Sequence, residues 1–329
     1  MDEPSSEHES DAKPLEFSIP LGSKSDGKLQ LKQAVKEENR NKRENQKTRR
    51  GYGKKNARKN IKHVKFSLLG ANSNGLLGKQ ESLKNAINEF KPCAITIQES
   101  KLNKAGQVKL KGYQIFEKIR QSGQGGGLLT TVDEDLNPIL VSTGSEEETE
   151  LITVQVQVGK HDIRIINAYG PQETDTNAKI FNFWEDIENE VIAAKDNNCM
   201  IVIQMDANAK IGKEILKNDP NEQSNNGKIL LEMVERQGLV IANTLDKCKG
   251  LITRERKAGD NLERAVLDYL IICEGMKEFL EHMTVDEERI YTLTKYTGKK
   301  SVKKTLSDHN VMIANVTFKF DRQPRKTSF

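Results

Sequence analysis

The chain has 329 residues, of which 35% are hydrophobic and 30% charged, with 52 Lys and Arg against 48 Asp and Glu and a formal charge of +4. This composition is too polar for a membrane protein, and no apolar run approaches the ~20 residues that a bilayer-spanning helix needs. The charge is uneven, because the first 65 residues carry +7 and the remaining 264 carry −3, which predicts a basic arm followed by a near-neutral body.

The first predicted segment is a disordered basic N-terminal arm over residues 1–63. It has few large apolar residues and no sustained hydrophobic period, so burial cannot offset the entropy cost of ordering it. Its acidic start, MDEPSSEHESD, has no apolar signal-peptide core. We therefore expect a nuclear or cytoplasmic protein that is not secreted. The basic residues of the arm also fit a solubilising surface or a nuclear-localisation signal.

The second predicted segment is a folded domain over residues 64–320, followed by a C-terminal tail over 321–329. Short apolar runs of strand length indicate extensive β-sheet. Apolar stripes around 83–90, 180–191 and 229–234 indicate helices between the strands. Many strands punctuated by helices predict an α/β or α+β sandwich with packed sheets and outer helices. The nine runs are 64–69, 94–98, 127–132, 151–158, 163–168, 199–205, 239–242, 267–272 and 311–318.

The cysteines argue against two kinds of covalent scaffold. Cys93, Cys199, Cys248 and Cys273 are widely spaced, and no two of them form a CxxC pair. The spacing is therefore atypical of structural zinc sites and of small disulfide frameworks. We expect no disulfide-linked partner.

Polar side chains follow several predicted strands at the point where each strand ends, which allows them to converge on one cleft. Each alone has an ordinary explanation as a turn, a helix cap or a solvated loop residue. Asp268 is the exception, because its neighbours are apolar and a buried carboxylate needs a partner, for which His309 is the candidate. The residues are Asn72, Glu99, Tyr169, Asp206, Asn208, Asp268, Asp308 and His309.

One chemistry uses all of these residues. Hard oxygen ligands such as Glu99, with Asn72 and Asp308, suit Mg²⁺, and Mn²⁺ is the alternative. A histidine paired with an aspartate can stabilise or protonate a phosphate, and an aspartate oriented by an asparagine can activate water. A tyrosine can donate to a phosphate oxygen. The set therefore predicts a metal-dependent phosphodiesterase.

Six short motifs in order resemble the endonuclease/exonuclease/phosphatase superfamily. The resemblance implies a DNase I-like four-layer sandwich of two packed β-sheets flanked by helices. The segments 225–244 and 123–132 further resemble the endonuclease domains of LINE-type non-LTR retrotransposons and of craniofacial-development-like host proteins. The glycines of 123–132 open a strand rather than a helix, which excludes a dinucleotide-binding loop. The motifs are NSNGL (72–76), QES (98–100), YGP (169–171), DAN (206–208), LDY (267–269) and SDH (307–309).

The resemblance implies a role for each site residue and leaves open whether Asp206 or His309 is the base. Three positions, Ala71, Met205 and Asn310, depart from the family pattern without removing a catalytic group. The implied metal ligands are Glu99, Asn72 and Asp308. The implied catalytic residues are Asp206, Asn208, His309, Asp268 and Tyr169.

Two basic regions indicate DNA as the partner, through phosphate contacts that carry no sequence information. One is the arm, and the other is a lysine-rich loop that leads into Asp308 and His309. The candidate contacts are Arg49, Arg50, Lys54 and Lys55 in the arm and Lys299, Lys300, Lys303 and Lys304 in the loop.

The predicted function is a metal-dependent DNA endonuclease of the retrotransposon nicking or AP-endonuclease type. One alternative is a phosphatase of the same fold that acts on a small phosphoester or a phosphoinositide. The LINE-like segment and the two basic regions disfavour it. The other is a non-catalytic nucleic-acid or chromatin interaction module, which the complete set of catalytic residues disfavours. The chain is expected to be either a retrotransposon fragment or a host protein.

Overall fold

The computed structural model describes residues 61–120, 125–145, 149–297 and 303–321. The predicted arm, apart from residues 61–63, and the predicted tail, apart from residue 321, lie outside the described residues. None of the described helices combines the length and the apolar character needed to cross a bilayer.

The described part of the chain contains 17 strands and three α-helices. The helices are α1 Gln80–Phe90, α2 Asn177–Asp196 and α3 Asn225–Arg236. The strands are β1 Ile61–Asn72, β2 Ala94–Gln98, β3 Tyr113–Lys118, β4 Leu128–Asp133, β5 Ile139–Ser142, β6 Leu151–Val158, β7 His161–Tyr169, β8 Met200–Asp206, β9 Leu239–Ile241, β10 Cys248–Lys249, β11 Arg254–Ala258, β12 Asn261–Ala265, β13 Asp268–Cys273, β14 Leu280–Val285, β15 Thr294–Thr297, β16 Lys303–Leu306 and β17 Met312–Asp321.

Two large sheets and two hairpins account for these strands. The first sheet has the order β10-β14-β17-β1-β2-β4-β3, and the second has the order β5-β6-β7-β8-β13-β9. Within them, β1 runs parallel to β2, and β7 runs parallel to β8. The carboxyl ends of each parallel pair therefore lie at one edge of their sheet. The hairpins are β11-β12 and β15-β16.

Three hydrophobic clusters hold the layers together. One lies between the two sheets and includes Phe66, Val202 and Phe318. A second packs α1 on the outer face of the first sheet, and a third packs α2 and α3 on the outer face of the second sheet. The alternation of side chains along a strand explains the division, because Phe66 faces the other sheet whereas Leu69 faces α1. This order of layers confirms the predicted four-layer sandwich.

All nine predicted apolar runs are strands, and all three predicted stripes lie on helices. The structure adds eight strands that the pattern of apolar runs did not predict. Two of them, β11 and β12, form a largely exposed hairpin rich in charged residues, so they carry no buried stripe. The lysine-rich segment before Asp308 was predicted to be a loop, and this prediction was wrong. Its described parts form the hairpin β15-β16, in which Thr294 pairs with Leu306.

An ion pair joins the two helices on the second sheet. Glu188 on α2 accepts hydrogen bonds from Arg236 Nε at 2.7 Å and Nη2 at 2.8 Å, and from Gln237 Nε2 at 2.6 Å. The bond from Arg236 is the main cause that lowers the pKa of Glu188 to about 2. Glu188 therefore stays ionised in the folded protein at pH values well below its ordinary pKa of 4.5.

Glu188→Gln is expected to lower the melting temperature by at most about 3 °C near pH 7. The folded pKa lies below the ordinary value of 4.5, so the stabilisation is present above that value and is lost as the pH falls toward about 2. Thermal unfolding of both proteins from pH 7 downward should show the difference narrowing. Glu185→Gln, at an exposed position of the same helix, is the control. If the difference in melting temperature between the wild type and Glu188→Gln stayed the same across the acid range, the ion pair would not be the source of the stabilisation.

Candidate active site

The two sheets bring eight predicted site residues to one edge. Asn72 ends β1 and Glu99 follows β2, both on the first sheet. Tyr169 and Asp206 end β7 and β8 on the second sheet, where they lie opposite each other in the parallel register. Asp268 begins β13 and pairs directly with Asp206, because β13 is antiparallel to β8. The remaining members, Asn208, Asp308 and His309, come from the segments that follow β8 and precede β17.

Asn72 connects the two sheets at the centre of this edge. Its buried Nδ2 donates to Glu99 Oε1 at 3.0 Å and to Asp206 Oδ2 at 2.7 Å. Its Oδ1 accepts from the Asn74 backbone N–H at 2.9 Å, and its backbone carbonyl accepts from Ser307 Oγ at 2.8 Å. The side chain therefore fixes the spacing of the two carboxylates. Its role as a metal ligand stays a prediction.

Glu99 is held as a carboxylate at the mouth of the site. Its backbone adopts the left-handed region, with φ of +45°. Oε1 also accepts from the Tyr169 hydroxyl at 3.0 Å, and Oε2 lies 2.9 Å from Lys101 Nζ. Burial would raise the pKa of Glu99, but hydrogen bonds from Lys101 and Asn72 outweigh burial and hold the pKa below its ordinary value. Burial and the neighbouring Glu99 carboxylate raise the pKa of Tyr169, so its hydroxyl stays protonated and can donate.

His309 lies between two buried aspartates. Its Nδ1 is 2.8 Å from Asp268 Oδ2, the pairing that the apolar neighbours of Asp268 predicted, and its Nε2 is 3.8 Å from Asp206 Oδ2. Burial would lower the pKa of His309, but the charges of Asp268 and Asp206 outweigh burial and raise the pKa to about 9. Burial, followed by the Asp268 charge, raises the pKa of Asp206. His309 and the two aspartates can therefore hold and move a proton.

Asn208 fixes the orientation of Asp206. The backbone N–H of Asn208 donates to Asp206 Oδ1 at 3.1 Å, and its Nδ2 donates to the Gly170 carbonyl at 2.8 Å. The residue has a φ of +47°, which turns the chain back toward β7. Asp206 is consequently constrained on both oxygens, since Asn72 donates to Oδ2.

Asp308 is the second carboxylate at the mouth. Asn74 Nδ2 donates to its Oδ1 at 3.2 Å, and Arg254 Nε donates to its Oδ2 at 3.1 Å. Burial would raise the pKa of Asp308, but the charges of His309 and Arg254 outweigh burial and lower the pKa. Both mouth carboxylates, those of Glu99 and Asp308, are therefore ionised and available to a cation.

The donor set fits a divalent metal. Two ionised carboxylates at one sheet edge are the hard oxygen ligands that Mg²⁺ and Mn²⁺ take, whereas the Asn72 amide directs its Nδ2 to Glu99 and its Oδ1 to the Asn74 N–H. A second group, formed by Asp206, Asp268 and His309, has ligand atoms within 4.8 Å of one another. One oxygen of this group, Asp268 Oδ1, is buried without a hydrogen-bond partner among the described residues. The all-oxygen set is the better match to Mg²⁺, because the second group includes an imidazole nitrogen.

The structure also brings in three residues that the sequence prediction did not assign to the site: Lys101, Asn74 and Arg254. Two of them had a local signal, since Lys101 lies two residues after Glu99 and Asn74 lies two after Asn72. Arg254 had no local signal in the sequence, because it contacts Asp308 from a hairpin 54 residues earlier in the chain.

The predicted DNA contacts are placed only in part. Lys303 and Lys304 belong to β16, whose backbone pairs with β15. The other six lie outside the described residues; they are Arg49, Arg50, Lys54, Lys55, Lys299 and Lys300.

Solved structures with the same arrangement of sheets include several nucleases. The endonuclease domain of TRAS1, a telomere-specific non-LTR retrotransposon, matches with a TM-score of 0.57 at 21% identity, over 76% of this chain and 98% of that one. AP endonuclease LMAP from Leishmania major matches with a TM-score of 0.59 at 13% identity, over 79% and 89%. The 3′-5′ exonuclease NExo from Neisseria meningitidis matches with a TM-score of 0.56 at 15% identity, over 76% and 98%.

A scan against models of protein families found no match, and neither did a search of curated proteins. The structural likeness nevertheless extends to a protein described as an endonuclease/exonuclease/phosphatase family member from Bacteroides thetaiotaomicron, with a TM-score of 0.56 at 11% identity over 78% of this chain and 99% of that one. The chain therefore has the endonuclease/exonuclease/phosphatase fold that its six motifs predicted.

Proposed function

We propose that the chain is a metal-dependent endonuclease that hydrolyses DNA phosphodiesters, of the retrotransposon nicking or the AP-endonuclease type. The observation that carries the proposal is the hydrogen-bonded chain from Glu99 through Asn72 to Asp206, beside the buried pair of His309 and Asp268. It supports a cation site and a proton-transfer site at one sheet edge. Neighbours of the same fold described as an endonuclease domain and as AP endonucleases support this reaction class.

The residues divide the work of hydrolysis between them. His309 Nδ1 donates to Asp268, which leaves Nε2 to donate to an oxygen of the scissile phosphate. Asp206, held by Asn72 and Asn208, accepts the proton of the attacking water. The Tyr169 hydroxyl, whose single hydrogen goes to Glu99 in this structure, would turn to donate where negative charge builds up on the phosphate. Glu99 and Asp308, with Asn72, would hold a divalent metal, which when bound supplies Lewis-acid stabilisation of that charge.

We further propose that the basic arm and the lysine-rich hairpin contact the DNA backbone, in a chain organised as an arm (1–63), a catalytic domain (64–320) and a tail (321–329). The hairpin supports this assignment, because β16 leads directly into the segment that carries Asp308 and His309. A DNA product hairpin bound to NExo supports a DNA substrate for this fold. Nuclear or cytoplasmic localisation remains part of the same proposal.

The test is nicking of supercoiled plasmid in Mg²⁺, in EDTA and with Glu99→Gln. The wild type is expected to nick only with the metal, and Glu99→Gln is expected to lose about 10²-fold or more of the rate, because an anionic ligand becomes neutral. Glu89→Gln, at an exposed position of α1, is the matched control and should nick normally. Nicking that survives both EDTA and Glu99→Gln would overturn the mechanism. DNA binding without nicking would favour the non-catalytic module.

A further inference from the structure

Each anionic residue of the proposed metal site is already paired with a protein cation. Glu99 Oε2 lies 2.9 Å from Lys101 Nζ, and Asp308 Oδ2 lies 3.1 Å from Arg254 Nε. A divalent metal that binds these carboxylates must therefore compete with charges that belong to the chain itself. The two competitors differ in how firmly they are held.

Arg254 is built into the fold beside Asp308. Its backbone forms an isolated β-bridge to His309, and its side chain is 24% exposed. The next residue, Glu255, donates its backbone N–H to the Asp308 carbonyl at 2.8 Å. Displacing the guanidinium would thus disturb a segment that also positions His309.

Lys101 is free to move in comparison. Its side chain is 36% exposed, and among the described residues its ammonium contacts Glu99 Oε2 and, at 2.7 Å, Asn74 Oδ1. Asn74 in turn donates to Asp308, so the ammonium belongs to the chain of polar contacts that links Glu99 to Asp308. Oxygen atoms of a carboxylate and an amide surround it, and these are also the atoms that a divalent cation prefers.

A second location for the ammonium lies next to the first. Lys101 also lines a cavity of about 510 Å³, together with Lys104 and Arg120. Arg120 pairs with Glu150, which is not a lining residue, and no acidic residue is among the described residues that line the cavity, so the cavity suits a phosphate better than a cation. The Lys101 ammonium can therefore leave Glu99 and pair with the DNA backbone while the backbone of Lys101 stays where it is.

We propose that Lys101 is a tethered cation that competes with the divalent metal for Glu99 and transfers to a DNA phosphate when the metal binds. The proposal rests on the proposed function, because it takes Glu99 as a metal ligand and DNA as the substrate. Lys101 then acts as a positioning and affinity-setting residue. It keeps metal affinity low in the free protein, and by linkage it makes metal and DNA favour each other's binding.

The experiment measures Mn²⁺ affinity of the full chain without DNA, by titration calorimetry and by electron paramagnetic resonance of the free ion. Lys101→Met, which keeps the length of the side chain and removes its charge, is expected to bind Mn²⁺ about three- to tenfold more tightly than the wild type. Lys109→Met is the matched control, since Lys109 is exposed and lies outside both the site and the cavity; its affinity for Mn²⁺ should equal that of the wild type. Lys101→Arg, which keeps the charge, should not tighten binding.

Binding by Lys101→Met that is equal to or weaker than that of the wild type would overturn the proposal. A separate variant shows whether the metal site itself is at fault. Glu99→Gln should weaken Mn²⁺ binding severely, and unchanged binding in that variant would overturn the metal site on which the proposed function depends. Because Lys101 is partly exposed and outside the core, its substitution is expected to leave the melting temperature unchanged, which thermal unfolding checks.

Discussion

Replacing His309 with asparagine is expected to slow phosphodiester cleavage by about 10²–10⁴-fold while the protein stays folded. Asparagine places an N–H close to the position of Nδ1, so the 2.8 Å bond to the buried Asp268 can persist. It has no atom at the position of Nε2, which faces Asp206 at 3.8 Å in the wild type. The variant therefore removes the proposed proton donor to the phosphate without leaving the buried carboxylate of Asp268 unpaired.

Plasmid nicking rates and thermal unfolding of the same preparations check this expectation. His282→Asn is the control, because His282 is exposed on β14 and bonds to Asn315 away from the site. A His309→Asn protein that is folded and cleaves within a few-fold of the wild type would show that the imidazole takes no part in the reaction. Since Asp206 would then have to act alone, the division of roles proposed above would fail with it.

Gly170→Ala is expected to damage both the site and the stability of the second sheet. A Cβ at Gly170 would lie 2.3 Å from the Ala207 carbonyl oxygen, which belongs to the backbone and cannot rotate away. The backbone N–H of Gly170 also donates to the Asp206 carbonyl at 2.7 Å. The methyl group therefore forces apart the ends of β7 and β8, which carry Tyr169 and Asp206. Overpacking of this kind costs about 1–3 kcal/mol.

The expected readouts are a lower melting temperature and a loss of cleavage larger than the unfolded fraction accounts for. Gly275→Ala is the matched control: the same substitution is made where a Cβ would meet no atom within 4 Å. The φ of Gly275 also lies outside the left-handed region, so an alanine there causes no backbone strain. If the two alanine variants retained equal activity, the close approach of the β7 and β8 ends would have no part in setting the site geometry.

The sequence predicted the architecture because burial leaves a strong pattern. Each buried strand, such as β6 with its sequence LITVQVQV, is an unbroken or alternating apolar run. The polar residues at strand ends were predictable for a related reason. A polar side chain that directly follows a buried strand stands out, and parallel strands carry such ends to the same edge of a sheet.

The rest could not be predicted because it depends on contacts between distant segments. The hairpin β11-β12 is mostly exposed and charged, so its strands show no hydrophobic period in the sequence. The contact of Arg254 with Asp308 depends on this hairpin and was therefore not predictable either. The pairing of Lys101 with Glu99 depends on two left-handed backbone positions, with φ of +45° at Glu99 and +49° at Lys101. Neither residue is a glycine or an asparagine, the types that signal such positions in a sequence.

The bridge that Asn72 makes between the sheets bears on how the protein acquires activity during folding. Glu99 belongs to the first sheet and Asp206 to the second, and His309 arrives with the segment that pairs β17 against β1. An intermediate with only the first sheet formed therefore lacks Asp206 and Asp268, which β8 and β13 of the second sheet supply. The proposed cleavage of DNA therefore requires both sheets and the chain through β17, so a nascent chain would become active only after β17 has emerged and paired with β1.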